Sequence, residues 1–482
     1  MNATDFQAVL PLLVLAIGAT VLMLQIAWVR NPGLTAALAA LVMALSALSC
    51  RLAAEVAPTE VTPLLQADRY SLLFATLFGF AGAITALLSR DYVSLHGDEP
   101  EEFFLLLVLA TMGASVLAYA IHVASLLLGL ELLSVSLYAL IAYPNKSILP
   151  LEAAAKYLVL SGAASATALF GFALLYAATG ALGFTEIGQG LTVTTTGQSV
   201  LLPAAVMVFA GLAFKLSLVP FHLWTPDVYD GAPAPVTGFL ASVAKGAVFV
   251  VLLRLFLDAD LFRYRILVEI TGLLAIFSML AGNLLALLQT NIKRMLAYSS
   301  IAHMGYLMIV FMVSLSGDSQ ALAVEAASYY LIAYTATTIA AFGLLTLIST
   351  DASGRENVQL QQVSGLFWRQ PLLACLMLVA LLSLAGIPLT AGFIAKFYLV
   401  NAAVSGHNWI LLFTLVIGSS IGIYYYLRVV YYMTRRPEEH RVEQKIISAW
   451  RGRILSGVLI ATILLLGIAP QPLMHYLKAI LH

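Results

Sequence analysis

Runs of about 20 apolar residues recur along the whole chain, from Val9 to Leu481. A run of this length is what an α-helix needs to cross the hydrocarbon core of a bilayer. Of the 482 residues, 61% are hydrophobic and only 10% are charged. Soluble domains carry about 25% charged residues. The sequence therefore predicts an all-α polytopic membrane protein.

The apolar runs predict about fourteen transmembrane helices. They are placed at 9–29, 33–52, 70–89, 103–121, 123–143, 152–179, 199–223, 234–257, 265–288, 294–315, 321–348, 370–401, 409–434 and 454–480. The boundary between the fourth and fifth spans depends only on a short polar break around His122. The segments 181–198 and 350–368 are predicted to be polar connectors. The first run has no cationic segment before it, so we expect a retained span rather than a cleaved signal peptide.

Charge and cysteine content argue against several classes of function. Acidic and basic residues balance at 24 each, and no basic patch suggests a nucleic-acid partner. Cys50 and Cys375 lie in separate apolar runs, and no CxxC pair suggests a zinc or iron–sulfur site. The chain also lacks a Walker A motif and a GxGxxG turn between a strand and a helix. We therefore expect no metal and no redox cofactor in this chain, and energy must come from an ion gradient or from partner subunits.

Orientation is predicted from the lysines and arginines in the loops. The odd-numbered loops are the more basic ones, with Arg30, Arg90, Lys146, Lys293, Arg294, Arg355, Arg369 and the segment Arg435–Lys445. By the positive-inside rule these loops face the cytoplasm. Both termini are then predicted to be periplasmic, in a multi-pass protein of a bacterial inner membrane.

Two of the predicted spans are interrupted, the seventh and the twelfth. In Gly211–Lys245, Pro220 removes a backbone donor and should break the helix. In Ser383–Leu399, an Ala-Gly-Ile-Pro sequence ending at Pro388 has the same effect. Broken helices inside a membrane are tolerated where they are buried in protein or line a water-filled cavity, so both breaks indicate a functional site.

The two breaks lie about 170 residues apart, in corresponding places of two five-helix segments. Because five is an odd number of spans, the two copies should be inverted repeats, as in many transporters. The predicted organisation is three N-terminal helices at 1–102, the first repeat at 103–257, the second repeat at 258–434, and a basic loop with the last helix at 435–482.

Glu131 and Lys215 are charged residues inside apolar spans. A charge at the centre of a membrane helix costs about 2.5–3.5 kcal/mol on insertion scales. We interpret Glu131 as a proton-titrating carboxylate with Lys215 as its partner, in a pair that breaks and re-forms. The alternatives are a carboxylate paired only for packing and a lysine that reaches the interface.

Three further lysines are candidates for a proton relay. Lys245 is flanked by small residues that leave room for water, and Lys396 follows the second break. Lys396 lies nearer a helix end, so extension of its side chain to the interface is a stronger alternative there. Lys156 lies only about one turn inside its span, and for it the relay and interface interpretations are equally supported.

Histidine can pass protons near neutral pH, so His222 and His303 are possible relay residues. Each can equally be a core histidine with satisfied hydrogen bonds. Asp227 is predicted to cap the turn that follows it. The segment 424–426, three tyrosines in a row, either lines a wet path or packs at the membrane interface.

Three segments carry a family resemblance. They are FKLSLVPFHLWTPDVYDGAPAPVTGFLASVAK at 214–245, TNIKRMLAYSSIAHMGYL at 290–307 and SLAGIPLTAGFIAKFY at 383–398. Together they resemble the antiporter-like membrane subunits of respiratory complex I, the NADH:quinone oxidoreductase. The resemblance covers nearly the whole chain. Lys245, where larger relatives tend to have histidine, favours the complex I type over Mrp-type antiporters, as does a chain that ends right after its last predicted span.

The resemblance implies a proton-translocating subunit of a translocase that couples electron transfer from NADH to quinone. It implies a Glu131–Lys215 pair, with Lys245 as the central relay and Lys396 as the far-side group. FMN, iron–sulfur clusters and quinone would belong to partner subunits. An Mrp-type cation/proton antiporter is the alternative from another class, and a structural membrane subunit is a third.

Overall fold

The helices of the N-terminal half follow the predicted spans closely. The computed structural model describes residues 2–96, 100–143, 148–193, 195–313, 317–348, 356, 358–436 and 450–481. Up to residue 258 its elements are α1 Ala3–Ala8, α2 Leu10–Trp28, α3 Pro32–Ala53, β1 Thr59–Thr62, β2 Leu65–Ala67, α4 Arg69–His96, α5 Pro100–Tyr119, α6 Val123–Ala142, α7 Ile148–Thr179, α8 Phe184–Val193, α9 Thr195–Leu216, α10 Trp224–Gly231, α11 Ala234–Phe239, a π-helical turn Leu240–Ala244 and α12 Lys245–Asp258. The predicted division at His122 is confirmed, because α5 ends and α6 begins on either side of it.

The C-terminal half continues in the same way. Its elements are a 3-10 turn Leu261–Arg263, α13 Arg265–Leu287, α14 Ile292–Leu307, α15 Ile309–Val313, α16 Gly317–Ile348, α17 Leu366–Arg369, α18 Pro371–Ala385, α19 Ala391–Ser405, α20 Trp409–Thr434, α21 Trp450–Ile468 and α22 Gln471–Leu481. Lys146, Arg355 and positions 437–449 of the predicted basic loop lie outside the described residues.

Within the described ranges, twelve helical segments are long and apolar enough to cross a membrane. The two remaining predicted spans are the interrupted ones, formed by α9 with α10 and by α18 with α19. The predicted all-α membrane fold with discontinuous seventh and twelfth spans is therefore confirmed. The division into two inverted repeats stays a prediction.

The first break has a clear backbone cause. α9 ends at Leu216, Ser217 takes a left-handed φ of 60°, and Pro220 cannot donate a backbone hydrogen bond. Two backbone groups at the break bond to side chains. Trp224 Nε1 donates to the Phe214 carbonyl at 3.0 Å, and the Val219 amide donates to Ser278 Oγ at 2.9 Å. The break is therefore stabilised by hydrogen bonds within the protein.

The second break uses glycine. α18 ends at Ala385, the next residue Gly386 has a φ of 82°, and Leu389 at φ 74° precedes the start of α19. Glycine has no Cβ and adopts this conformation without steric cost. The carbonyls in the last turn of α18 are left without helical partners and become available to side chains.

The protein core lies around the helices that follow the first break. The span Ala234–Asp258, which includes α11 and α12, is buried along its whole length, and α14 and α16 beside it are largely buried. By contrast, α7 exposes most of its surface and contributes to the outer, lipid-facing wall. A buried helix must satisfy its polar side chains within the protein, which concentrates hydrogen bonds around α12, α14 and α16.

Three details of the fold differ from the sequence predictions. The connector 181–198 contains a helix, α8, and the start of α9. The loop between α3 and α4 forms a small antiparallel hairpin in which Thr59 pairs with Ala67. The last predicted span, 454–480, is two helices, because Pro470 lies between α21 and α22 and cannot continue the backbone ladder.

Candidate functional site

Lys215 lies in the last turn of α9, just before the first break, and is buried. Its Nζ donates to Ser134 Oγ on α6 and to Ser161 Oγ on α7, each at 2.6 Å. The Tyr138 hydroxyl also donates to Ser161 Oγ, at 2.7 Å. The ammonium is thus held by neutral hydroxyls, which can accept and donate protons.

Glu131 lies on α6 one turn before Ser134, so both side chains face the same way. The carboxylate is near enough to Lys215 for an electrostatic interaction. No ion pair joins the two in the described part of the chain, and Glu131 Oε1 is buried there without a hydrogen-bond partner. The structure therefore brings the predicted partners together but places Ser134, rather than the carboxylate, on the lysine.

Lys245 begins α12, directly after the π-helical turn, and is completely buried. A π-turn inside an α-helix is frequent at functional sites. The Lys245 Nζ donates to Ser300 Oγ on α14 at 2.8 Å and lies 5.2 Å from the centre of the Tyr229 ring. Ser300 Oγ also accepts from the Tyr334 hydroxyl at 2.8 Å, so it joins Lys245 to α16.

His303 lies one turn after Ser300 on α14 and is buried. Its Nδ1 is 2.7 Å from the Tyr330 hydroxyl and its Nε2 is 3.3 Å from the Tyr426 hydroxyl. The ring stacks on Tyr334, with 5.1 Å between the ring centres. Both ring nitrogens therefore have hydroxyl partners, the arrangement that lets an imidazole accept a proton on one side and release it on the other.

Lys396 follows the second break and uses the carbonyls that the break frees. Its Nζ donates to the Leu384 carbonyl at 3.1 Å, to the Ala385 carbonyl at 2.8 Å and to Ser419 Oγ at 2.8 Å. The ammonium also lies 5.3 Å from the centre of the Tyr306 ring. Lys396 is buried, so its side chain points into the protein and does not extend to the interface.

A small cavity connects His303 with the second break. It is lined by Tyr330, Tyr334 and Thr337 on α16 and by Ser383 and Gly392 at the break. Its volume of about 10 Å³ is near the minimum that holds one water. His303 and Lys396 also interact electrostatically across this region. Ser300, Tyr334 and His303 therefore form a line of contacts that leads from Lys245 toward Lys396.

His222 lies in the first break and is buried. Its Nδ1 has no hydrogen-bond partner among the described residues, and the ring is near enough to Lys245 to interact with its charge. This places His222 near Lys245. Of the Tyr424–Tyr426 strip, Tyr426 contacts His303, whereas Tyr424 is exposed.

Lys156 differs from the other lysines, because 43% of its side chain is exposed. It pairs with Glu152 at 2.8 Å and with Asp227 at 2.9 Å, and Asp227 also pairs with Arg294 at 2.8 Å. The prediction that Asp227 caps the following turn is wrong, because Leu223 occupies the N-cap of α10 and Asp227 forms ion pairs with α7 and α14. This cluster surrounds a cavity of about 90 Å³ at the surface.

Sequence reasoning missed the hydroxyl side chains that join the charged ones. They are Ser134, Ser161, Ser300, Tyr330, Tyr334 and Ser419. The sequence spacing could have indicated two of them, because Ser134 lies one turn after Glu131 and Ser300 lies one turn before His303. It also missed the buried ion pair of Lys293 with Glu356, which fixes the start of α14.

The chain is similar to known proteins along nearly its whole length. A family model described as NADH:quinone oxidoreductase/Mrp antiporter, transmembrane, matches residues 120–422. The chain is 48% identical over 482 residues to NADH-quinone oxidoreductase subunit N of Ectopseudomonas mendocina (strain ymp), covering 98% of this chain and 96% of that protein.

Solved structures are similar as well. A chain of respiratory complex I from Thermus thermophilus with bound aureothin matches with a TM-score of 0.82 and 32% identity, over 97% of this chain and 99% of that one. A chain of the archaeal membrane-bound sulfane sulfur reductase matches with a TM-score of 0.84 and 23% identity, over 98% and 96%. A chain of the Mrp complex from Dietzia sp. DQ12-45-1b matches with a TM-score of 0.85 and 19% identity, over 100% of this chain and 97% of that one. The last two show a shared fold alone.

Proposed function

Because this chain belongs to the NADH:quinone oxidoreductase/Mrp antiporter transmembrane family, we propose that it is the proton-translocating membrane-arm subunit, of the subunit N type, of an NADH:quinone oxidoreductase. The relative at 48% identity and the Thermus structure at 32% identity are both proteins of such an assembly. The Mrp likeness, at 19% identity, concerns the fold and does not favour the antiporter alternative.

The observation that carries this proposal is the buried chain of proton-exchanging groups. Lys215, Lys245 and Lys396 are buried in separate helices, and each ammonium is held by hydroxyl or carbonyl oxygens. Charges in such positions are expensive and mark ion pathways in membrane proteins. Hydroxyls and an imidazole bridge the central lysine to the far side of the site.

Each of these side chains has a defined task in the proposed relay. Glu131 is the charged partner of Lys215 in this relay, and His222 acts beside Lys245. Ser300 and Tyr334 lead from Lys245 to His303, and Lys396 exchanges protons at the second break. Lys156 lies at the surface, where its ion pair with Asp227 joins α7 to α10, and Arg294 on α14 pairs with the same carboxylate.

The charges on neighbouring lysines couple the steps of proton transfer. In the low-dielectric interior, two ammonium groups repel each other far more strongly than in water, so protonation of one lysine favours proton release from the next. Electron transfer from NADH to quinone takes place in partner subunits, which would hold FMN, the iron–sulfur clusters and the quinone. The described residues of this chain contain no group of three or more His, Cys, Asp or Glu side chains that could hold a metal ion.

Purification of the tagged chain from its native membrane tests the assignment. We expect flavin, iron–sulfur and further membrane subunits to co-purify, together with NADH:quinone reductase activity. A chain that purifies without redox subunits and exchanges Na⁺ for H⁺ in liposomes would instead be an antiporter, and the assignment would be wrong.

A further inference from the structure

A groove opens at the surface of the fold, where α3 ends and α4 begins. It has a volume of about 590 Å³ and lies between α3, α4 and the C-terminal helix α22. Its walls are mainly apolar, with Leu48 on α3, Leu73 and Phe80 on α4, and Ile480 on α22. None of these residues contributes to the relay described above.

Two arginines stand at the open end of this groove. Arg51 lies in the last turn of α3, and Arg69 is the first residue of α4; both are exposed. Arg69 donates to the Ala479 carbonyl of α22 at 3.0 Å, which holds the C-terminal helix against the groove. Among the described residues that line the groove, there is no carboxylate to neutralise these charges.

The length of the groove matches one leaflet of a membrane. From Arg69 to Phe80 along α4 is eleven residues, or about 16 Å at 1.5 Å per residue. Half of a hydrocarbon core is about 15 Å thick. A ligand with its charged end at the arginines would thus reach the middle of the bilayer beside Phe80. A second cavity of about 550 Å³ shares Arg69 and Ile480 with the groove and adjoins its charged end, where Asp68, Arg254 and Asp258 line it.

We propose that this groove is a binding site for an anionic phospholipid, whose phosphate pairs with Arg51 and Arg69 and whose acyl chain lies along Leu73 and Phe80. Arginine forms paired hydrogen bonds with phosphate oxygens and keeps its charge at any physiological pH. A lipid has one charged end and one long apolar part. The groove matches this, because its arginines lie at one end and its walls are apolar along their length.

Photolabelling of the intact assembly in membranes tests the site. The probes are a phosphatidylglycerol and a phosphatidylethanolamine that carry the same diazirine-labelled acyl chain. We expect the phosphatidylglycerol to label the α4 peptide around 72–80 several-fold more than the phosphatidylethanolamine does. The double variant Arg51→Gln/Arg69→Gln should reduce this labelling to the phosphatidylethanolamine level.

Two further variants separate a specific site from general effects. Arg263→Gln/Arg265→Gln removes two exposed arginines at the start of α13, on the same membrane face, and should leave the labelling unchanged. Leu48→Trp fills the groove at an exposed position and keeps both arginines, so it should lower labelling by both lipids even if the double variant fails to assemble.

Three results would overturn the proposal. One is equal labelling of α4 by both lipids in the wild-type assembly, and another is labelling that Leu48→Trp and the arginine variants leave unchanged. The third is cross-linking of the groove peptide to another subunit in place of lipid, which would identify the groove as a protein interface.

Discussion

At the residue scale, the three lysines of the proposed relay are held by neutral oxygens rather than by carboxylates. Ser134 and Ser161 hold Lys215, Ser300 holds Lys245, and backbone carbonyls hold Lys396. A carboxylate in direct contact would strongly favour the charged form of a lysine and oppose proton release. Neutral acceptors leave both protonation states accessible, as a relay requires. The contrast is Lys293, which is buried on Glu356 and has a structural role.

Ser300 offers a test of this argument. Ser300→Ala removes the hydroxyl that accepts from Lys245, and an unpartnered buried group costs about 1–3 kcal/mol. We expect the charged form of Lys245 to become rarer by roughly tenfold and NADH-driven proton translocation by the assembly to fall sharply, measured by the quenching of a pH-sensitive dye in inverted vesicles.

Ser420→Ala is the matched control, because Ser420 is exposed on α20 and bonds only within its own helix. It should translocate protons like the wild type. If Ser300→Ala assembles to the normal level and also pumps normally, then Ser300 does not lie on the proton path.

The charged members of the site were predictable from sequence because a lysine or glutamate inside an apolar run stands out. Glu131, Lys215, Lys245 and Lys396 were all identified in this way. The serines and tyrosines were not, since hydroxyl residues are common in membrane helices and often bond their own backbone. Their role depends on which helix faces which, and that follows from tertiary packing.

At the element scale, the two broken helices contribute differently. The first break ends α9 beside Lys215, and its backbone groups are satisfied by neighbouring side chains. The second break supplies carbonyls directly to Lys396. Serine hydroxyls hold the ammonium of Lys215 at the first break, whereas backbone carbonyls hold the ammonium of Lys396 at the second.

Gly386 is the position on which the second break depends. A Cβ there would lie 2.8 Å from Cδ of Lys396, and the φ of 82° costs an alanine about 1–2 kcal/mol. Gly386→Ala is therefore expected to lower the thermal stability of the assembly and to impair proton translocation by displacing Lys396. Both are measured on the purified assembly, by a melting curve and after reconstitution into liposomes.

Gly162→Ala is the control for this substitution. Gly162 lies within α7, and no atom lies within 4 Å of an added Cβ. Alanine is favoured over glycine in a helix by about 1 kcal/mol, so this variant should be as stable as the wild type or slightly more so. Equal behaviour of the two variants would show that the second break does not need a left-handed glycine.

At this scale, hydropathy placed the helices and their breaks well, because the bilayer sets the length of every span. It could not place α8 or the β1–β2 hairpin, which lie outside the spans, and it did not separate α22 from α21 within the last span. These short elements are fixed by contacts distant in sequence, such as Arg69 with the carbonyl of Ala479. Periodicity within one segment carries no information about such contacts.

At the scale of the whole molecule, the two ends of the chain lie on the same face. Gln7 Nε2 donates to the Leu52 carbonyl at the end of α3, and Arg69 at the start of α4 donates to Ala479. An even number of spans requires this arrangement. Which compartment the face belongs to is a prediction from the basic loops, and it assigns both termini to the periplasm.

Fusions at the C-terminus check this orientation. Alkaline phosphatase is active only after export, so we expect a fusion after His482 to be active, and a fusion of green fluorescent protein at the same place to be dark. A fluorescent and phosphatase-inactive pair of fusions would reverse the predicted topology.

The central claim is that protons pass through the buried lysines of this chain, and Lys245 tests it most directly. The measurement is the number of protons translocated per NADH oxidised by the purified assembly in liposomes. The account predicts that this ratio falls, and that quinone reduction slows, in Lys245→Met, while Lys478→Met, which alters an exposed lysine on α22, behaves like the wild type. A wild-type ratio and rate in an assembled Lys245→Met variant would contradict it.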